Sequence, residues 1–173
     1  MNEKSKFFIR PIKDGDHAWI KKFIKEQWAD NFIVVHDMIY YPHELEGFVA
    51  VEPSGSRVGL ITYSIQNQNC EIVTLNSIKE RIGIGTGLMK SVHNSAMDSG
   101  CSKVWLITTN DNKHAINFYQ KLGYKLVTIH KNAIAKSRKL KPAIPLFSGD
   151  KIPIRDELEF EYLLKSGPNN AFL

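Results

Sequence analysis

The chain has 173 residues, 43% of them hydrophobic and 24% charged, with a formal net charge of +5. This suits one soluble globular domain with a sizeable core; no apolar run is long enough to cross a bilayer, and the opening MNEKSKFFIRP has no signal-peptide core, so a cytoplasmic protein that does not engage a membrane is expected. The positive charge suits an anionic cofactor, an acidic substrate or nucleic acid, but there is no helix-turn-helix, RRM or zinc-finger signature, and nucleic acid is not an expected partner.

Phe7-Phe8-Ile9-Arg10 reads as a short strand ended by Pro11. Asp14 or Asp16 can cap the following helix, in which Trp19, Ile20, Phe23, Ile24 and Trp28 fall at helical spacing. Residues 29–47 mix apolar side chains with His36, Asp37, Tyr40, Tyr41 and Pro42, and read as loop plus a short helix. Residues 47–52 and 58–66 form a hairpin across Pro53-Ser54-Gly55-Ser56, and residues 70–78 continue the meander after Asn67-Gln68-Asn69. Next comes ERIGIGTGLM, where a helix begins near Ile84, repeats Leu88, Met89, Val92 and Ala96 on one face, and stops at Gly100. Residues 103–109 (KVWLITT) read as a buried strand. Asn110-Asp111-Asn112 breaks it and can cap a helix bearing Ala115, Ile116, Phe118, Tyr119 and Leu122, which Gly123 ends. A strand at 124–130, a short helix at 133–140, a proline-broken segment and a closing strand at 157–164 follow, with a loose tail over 166–173. An antiparallel meander and then a β-α-β-α-β run make a mixed α/β (α+β) sheet with helices on its faces, one domain over residues 1–165.

Cys70 and Cys101 form no CxxC pair, and no Cys/His cluster has zinc-ligand spacing, so reduced thiols and no metal are expected. The densest basic stretch holds Lys131, Lys136, Arg138, Lys139 and Lys141; a solvated helix face is the first reading and an anion-facing patch the second.

Gly83, Gly85 and Gly87 lie where a strand meets a helix. A helix N-terminus leaves backbone N–H groups unpaired, and glycine lets the chain approach an anion closely, so such turns can seat phosphate. Gly87 is not followed by Lys-Ser or Lys-Thr, which excludes the NTPase loop, and Leu88 and Lys90 break the GxGxxG spacing of dinucleotide sites. Alone, the turn is as readily a plain connection as a ligand site.

With NKHAINFYQKLGY (residues 112–124), the glycine turn resembles the GNAT superfamily of acetyl-CoA-dependent N-acetyltransferases. GIGTGLM looks like that family's (Q/R)xxGxG/A loop, and Asn112, Ala115, Phe118, Tyr119, Lys121, Gly123 and Tyr124 look like its NxxAxxFYxKxGF helix; the likeness spans about residues 6–164. Glu80 stands where the family usually has Arg or Gln, with Arg81 one position late. The resemblance implies a mostly antiparallel twisted sheet of six or seven strands, splayed in the middle and flanked by helices.

It also implies roles. The pantetheine of acetyl-CoA pairs with Leu75 and Asn76, and Leu75 N–H polarises the thioester. The pyrophosphate rests on amides from Ile82, Gly83, Ile84, Gly85, Thr86 and Gly87, with Arg81 as its side-chain partner. Ala115 and Phe118 line the cofactor, and Asn112 caps its helix, touches CoA, or both. Tyr119 is the acid for the leaving thiolate; the plainer reading of it is a core aromatic. Glu71 is the candidate base, or else a solvated strand-end carboxylate, with His43, Glu44 and Glu46 as further options. The acceptor is an amine of a small molecule or peptide, and the protein a monomer or homodimer. The competing reading is a non-catalytic acyl-CoA sensor.

Overall fold

The computed structural model describes residues 7–164, and the tail expected to be loose lies outside them. β1 (Phe8–Pro11) has Pro11 as its last residue. α1 (His17–Trp28) buries Ile20, Phe23 and Ile24. Asp16 sits at its N-cap, but the side chain does not cap the helix. Its carboxylate, 1% exposed, accepts from Arg10 (2.6 and 2.9 Å), Arg57 Nε (2.7 Å) and Lys13 N–H (2.9 Å). These donors, Arg10 foremost, hold its pKa well below the usual carboxylate range and tie the start of α1 to the sheet.

The region read as loop plus short helix holds instead a hairpin, β2 (Ile33–Val35) and β3 (Met38–Tyr40), before a 3-10 turn at Pro42–Glu44. His36 (φ 45°) and Asp37 (φ 63°) turn it. Two successive left-handed residues match the strand twist, a task usually given to Asn-Gly.

β4 (Glu46–Val51), β5 (Arg57–Gln66) and β6 (Asn69–Ser77) form the antiparallel meander. α2 (Ile84–Asp98) then crosses to β7 (Lys103–Thr109), which runs parallel to β6. α3 (Lys113–Lys121), β8 (Lys125–His130) and α4 (Ala133–Leu140) follow, and β9 (Glu157–Leu163) inserts between β7 and β8, antiparallel to both. The order β1-β4-β5-β6-β7-β9-β8 is the expected mixed, mostly antiparallel sheet.

Strand alternation divides the core. Val49, Val51 and Leu60 face α1 and Ile33. Ala50, Ile61, Ile72, Val104 and Phe160 face α2, which buries Ile84, Leu88, Met89, Val92 and Ala96; Tyr119 of α3 joins them. Burial of each larger apolar side chain contributes roughly 1.5–3 kcal/mol.

The sheet does not stay closed. β6 pairs with β7 only from Asn69↔Lys103 to Ile72↔Leu106. Val73 is an extra residue in β6, because Thr62 pairs with Thr74 and Tyr63 with Ile72. A bulge bends its strand, and this one falls where pairing to β7 ends. Beyond it β6 follows β5, β7 follows β9, and the sheet opens as a V.

Candidate active site

A cleft of about 410 Å³ lies on the α2–α3 side of the V. Leu75, Asn76, Arg81, Gly83, Ile84, Gly85, Thr86, Asn112, Ala115, Phe118 and Tyr119, all singled out from the sequence, line it together with Ser77, Lys79, Glu80 and His114. Ile82 is not in the lining and packs on the core. Gly87 is likewise outside the lining. Its N–H donates to Gly83 O at 3.0 Å as a first bond of α2, and a Cβ there would come within 2.7 Å of Ile9 Cδ1. It is a packing glycine whose amide is already engaged.

At the head of α2, Gly83 takes the N-cap position in the left-handed region (φ 89°) and supplies no side-chain cap. The amides of Ile84, Gly85 and Thr86 therefore begin the helix without intrahelical partners. A Cβ on Gly83 would meet nothing within 4 Å, so open space fronts these donors. Glu80 and Arg81 (φ 61°) both sit exposed at this rim.

The open edge of β6 supplies the second element. Ile78 N–H donates to Val58 O at 2.9 Å. By antiparallel alternation, Ile61↔Leu75 is then a non-hydrogen-bonded pair, and the Leu75 N–H and C=O point away from β5 into the V. Asn76 falls on the other phase, with its backbone turned to β5; what it offers is its side chain, whose buried Oδ1 has no hydrogen-bond partner among the described residues. A strand edge and a buried acceptor left open in one cleft fit an amide-bearing arm.

Tyr119 is 8% exposed, and its hydroxyl makes no hydrogen bond to any described residue, so it is not tied to a backbone carbonyl. Burial pushes its pKa well above the ordinary tyrosine value. Asn112 caps α3, its Oδ1 accepting from Ala115 N–H at 3.1 Å, and lines the clefts on both sides of the V.

The second cleft, about 480 Å³, lies between the end of α1, β2, the end of β7, α4 and the loop before β9. Its lining is mostly apolar but includes Glu157, Lys141, Thr108 and Thr109. Glu157, 2% exposed, accepts from His36 N–H (3.1 Å) and more weakly from Ser137 Oγ (3.4 Å), with His36 Nδ1 at 3.2 Å. Glu71 lines neither cleft. It faces a polar recess with Gln66, Trp105 and Glu159, and Tyr40 Oη donates to its Oε2 at 2.7 Å. Burial raises its pKa against the opposing effect of that bond. His43 and Glu44 pair at 3.6 Å in the 3-10 turn, and Glu46 opens β4; none of the three lines either cleft.

Sequence reasoning passed over Glu157. The signal available was the alternation of Glu157, Glu159 and Glu161 on one face of β9, where each meets a basic side chain: His36, His130 and Lys103. The basic stretch divides. Lys136 is exposed beside Asp37 (3.7 Å), Arg138 clamps the carbonyls of Ile144, Pro145 and Ile154, and Lys141 is buried. No helix among the described residues is long and apolar enough to cross a membrane, and no group of three or more metal-binding side chains occurs among them.

Solved structures with this fold include an IAA acetyltransferase from Bacillus cereus (TM-score 0.67, 18% identity, covering 92% of this chain and 100% of that one). Another is a GNAT family acetyltransferase from Elizabethkingia anophelis with acetyl-CoA bound (TM-score 0.65, 20% identity, covering 91% and 98%). In sequence the chain is 42% identical to the uncharacterized protein YdhI of Bacillus subtilis over 156 residues, 90% of this chain and 98% of that one. The model of the acetyltransferase (GNAT) family matches residues 13–124, across the meander, the glycine turn and the Tyr119 helix. The chain therefore belongs to the GNAT family, and it is an acyltransferase.

Proposed function

We propose that this protein transfers the acetyl group of acetyl-CoA directly to a primary amine of a small molecule or peptide, in the cytoplasm. The observation that carries this is the V itself: the outward-facing Leu75 backbone lies in one cleft with the uncapped head of α2 and the unbonded Tyr119 hydroxyl. The Elizabethkingia anophelis neighbour, solved with acetyl-CoA, shares the fold. Cys70 and Cys101 are unbridged, as a reducing compartment requires.

In this reading the amides of Ile84, Gly85 and Thr86 hold the pyrophosphate, with Ile82 and Gly83 shaping the turn and Arg81 adding charge. Leu75 pairs with the pantetheine and polarises the thioester carbonyl; one such donor is typically worth about 10²–10³ in rate. Asn76 Oδ1 accepts an amide N–H of the same arm, and Ala115 and Phe118 pack beside it. Tyr119, held protonated by burial, donates to the departing sulfur. Glu157 takes the amine proton; its support is its place in the lining of the acceptor-side cleft. Glu71 is the alternative base, supported by a raised pKa that brings it nearer neutrality.

The test is titration calorimetry with acetyl-CoA, followed by release of free CoA thiol with a panel of amines. Binding and amine-dependent thiol release are expected. No heat at millimolar acetyl-CoA overturns the proposal.

A further inference from the structure

The acceptor-side cleft contains a cation that the fold leaves largely uncompensated. Lys141 is 4% exposed and lies at the C-terminal end of α4, in the cleft wall. Its ammonium donates to Phe32 O at 2.9 Å and lies 5.1 Å from the centroid of the Phe32 ring. No carboxylate of the described residues lies within 4.0 Å of it; Asp30 acts on it only at longer range. An ammonium has three donors, so donors remain for a ligand. Burial lowers its pKa, the sign of a desolvation cost that an incoming anion would relieve.

The rest of the wall defines that anion's company. Ile33, Val35, Ile107, Ile134, Ile144 and Ile154 make the cleft apolar. Glu157 is its buried carboxylate, while Glu26 at the rim is exposed and 3.8 Å from Lys22. A single buried cation, with the buried carboxylate of Glu157 in the same lining, suits the carboxylate of a molecule that also carries an amine rather than a phosphate dianion. At about 480 Å³ the cleft is within the range of small-molecule sites.

Resting on the acetyl transfer proposed above, we propose that the acceptor is a free apolar amino acid, its carboxylate on Lys141, its side chain among the isoleucines, and its amine toward Glu157 and the V. The amine nitrogen forms the new C–N bond as the thioester C–S bond breaks. The electron pair leaves on sulfur, the amine proton passes to Glu157, Tyr119 protonates the thiolate and regains its proton through solvent, and the products are an N-acetyl amino acid and CoA.

The experiment measures kcat/KM with acetyl-CoA for leucine, methionine and phenylalanine, for their amides and for their decarboxylated amines. Each acid is expected to exceed its amide by about tenfold or more, as a charge-assisted contact implies. Lys141→Met should bring the ratio near one while leaving the decarboxylated amines as substrates, and Lys141→Arg should keep part of it. A mere tie to Phe32 would alter stability but not this ratio. Equal or better turnover of the amides, or an unchanged ratio in Lys141→Met, overturns the inference. So does preference for a peptide N-terminus, or no turnover of any of these compounds by a protein that binds acetyl-CoA; in both cases acetyl-CoA binding stands. Should Lys141→Met not fold, the wild-type acid-to-amide ratio and Lys141→Arg decide. Failure to bind acetyl-CoA at all would count against the acetyl transfer itself.

Discussion

His36 and Glu157 are 121 residues apart in sequence and meet at two points: His36 N–H donates to Glu157 Oε1 at 3.1 Å, and His36 Nδ1 lies 3.2 Å from Oε2. The pair fastens the left-handed turn of the β2–β3 hairpin to β9 and fixes the carboxylate in the acceptor-side cleft. The His36 ring also packs against His130 (centroids 4.3 Å), which holds Glu159 at 2.8 Å. Glu157→Gln preserves the shape and removes the charge. Its kcat/KM for the amine is expected to fall about 10²-fold or more, with acetyl-CoA affinity unchanged. Glu71→Gln should retain most activity. The opposite pattern in steady-state kinetics would move the base to Glu71.

Tyr119 separates an enzyme from a sensor. Tyr119→Phe deletes one oxygen in a cleft wall and leaves the aromatic packing against Phe118, Tyr124 and Phe160 in place. The expected result is a loss in kcat of roughly 10²–10⁴ with acetyl-CoA affinity within about twofold by calorimetry. Unchanged kcat would return Tyr119 to a core aromatic.

Much of this was legible in the sequence because it is local. The meander, the helix stripes of α2 and α3 and the glycine turn follow from periodicity and turn chemistry over a few residues. The β2–β3 hairpin was not legible. Its turn is His36-Asp37 rather than Asn-Gly, and its tie to Glu157 spans most of the chain. Lys141 was legible only in part: its stretch reads first as a solvated helix face and second as an anion-facing patch, and its contact with Phe32, 109 residues away, could not be read locally. For Gly87 the motif was legible but the reason was not, since a missing Cβ can serve a ligand or, as here, make room for Ile9.

Gly83 and Gly55 form a matched pair. Both are left-handed (φ 89° and 86°), and in both a Cβ would meet nothing within 4 Å. Gly83→Ala and Gly55→Ala should each lower stability in urea unfolding by about 1–2 kcal/mol, because an L side chain resists that conformation. Only Gly83→Ala should also raise the KM for acetyl-CoA, by about tenfold, since its methyl enters the space before the head of α2. Equal KM values would argue against phosphate at that turn.

Glu80 and Arg81 set the charge of the same rim. Against a polyanion, Glu80→Gln should tighten acetyl-CoA binding and Arg81→Ala weaken it, each by about two- to fivefold, the scale of exposed charges. Both shifts should shrink as salt rises. Calorimetry at low and high salt checks this, and affinities indifferent to both changes would place the pyrophosphate elsewhere.

His93 gives the fold a pH signature separate from catalysis. It lies wholly buried in α2, with its Nε2 2.6 Å from the Tyr124 hydroxyl, and burial lowers its pKa to about 4 from 6.5. Between these values the unfolded chain binds a proton that the folded protein refuses, so stability falls as pH drops from about 6.5 toward 4, by up to about 3 kcal/mol. Glu71 acts in the opposite sense, because its raised pKa makes the folded state the better proton binder above about 4.5. The two separate by difference. His93→Gln should be less stable than wild type at pH 7.5, having lost its fit to Tyr124, but the gap should narrow steadily in urea unfolding at pH 6.5, 5.5 and 4.5. Glu71 contributes equally to both proteins and cancels. A gap that stays constant with pH would mean that the folded protein accommodates the imidazolium.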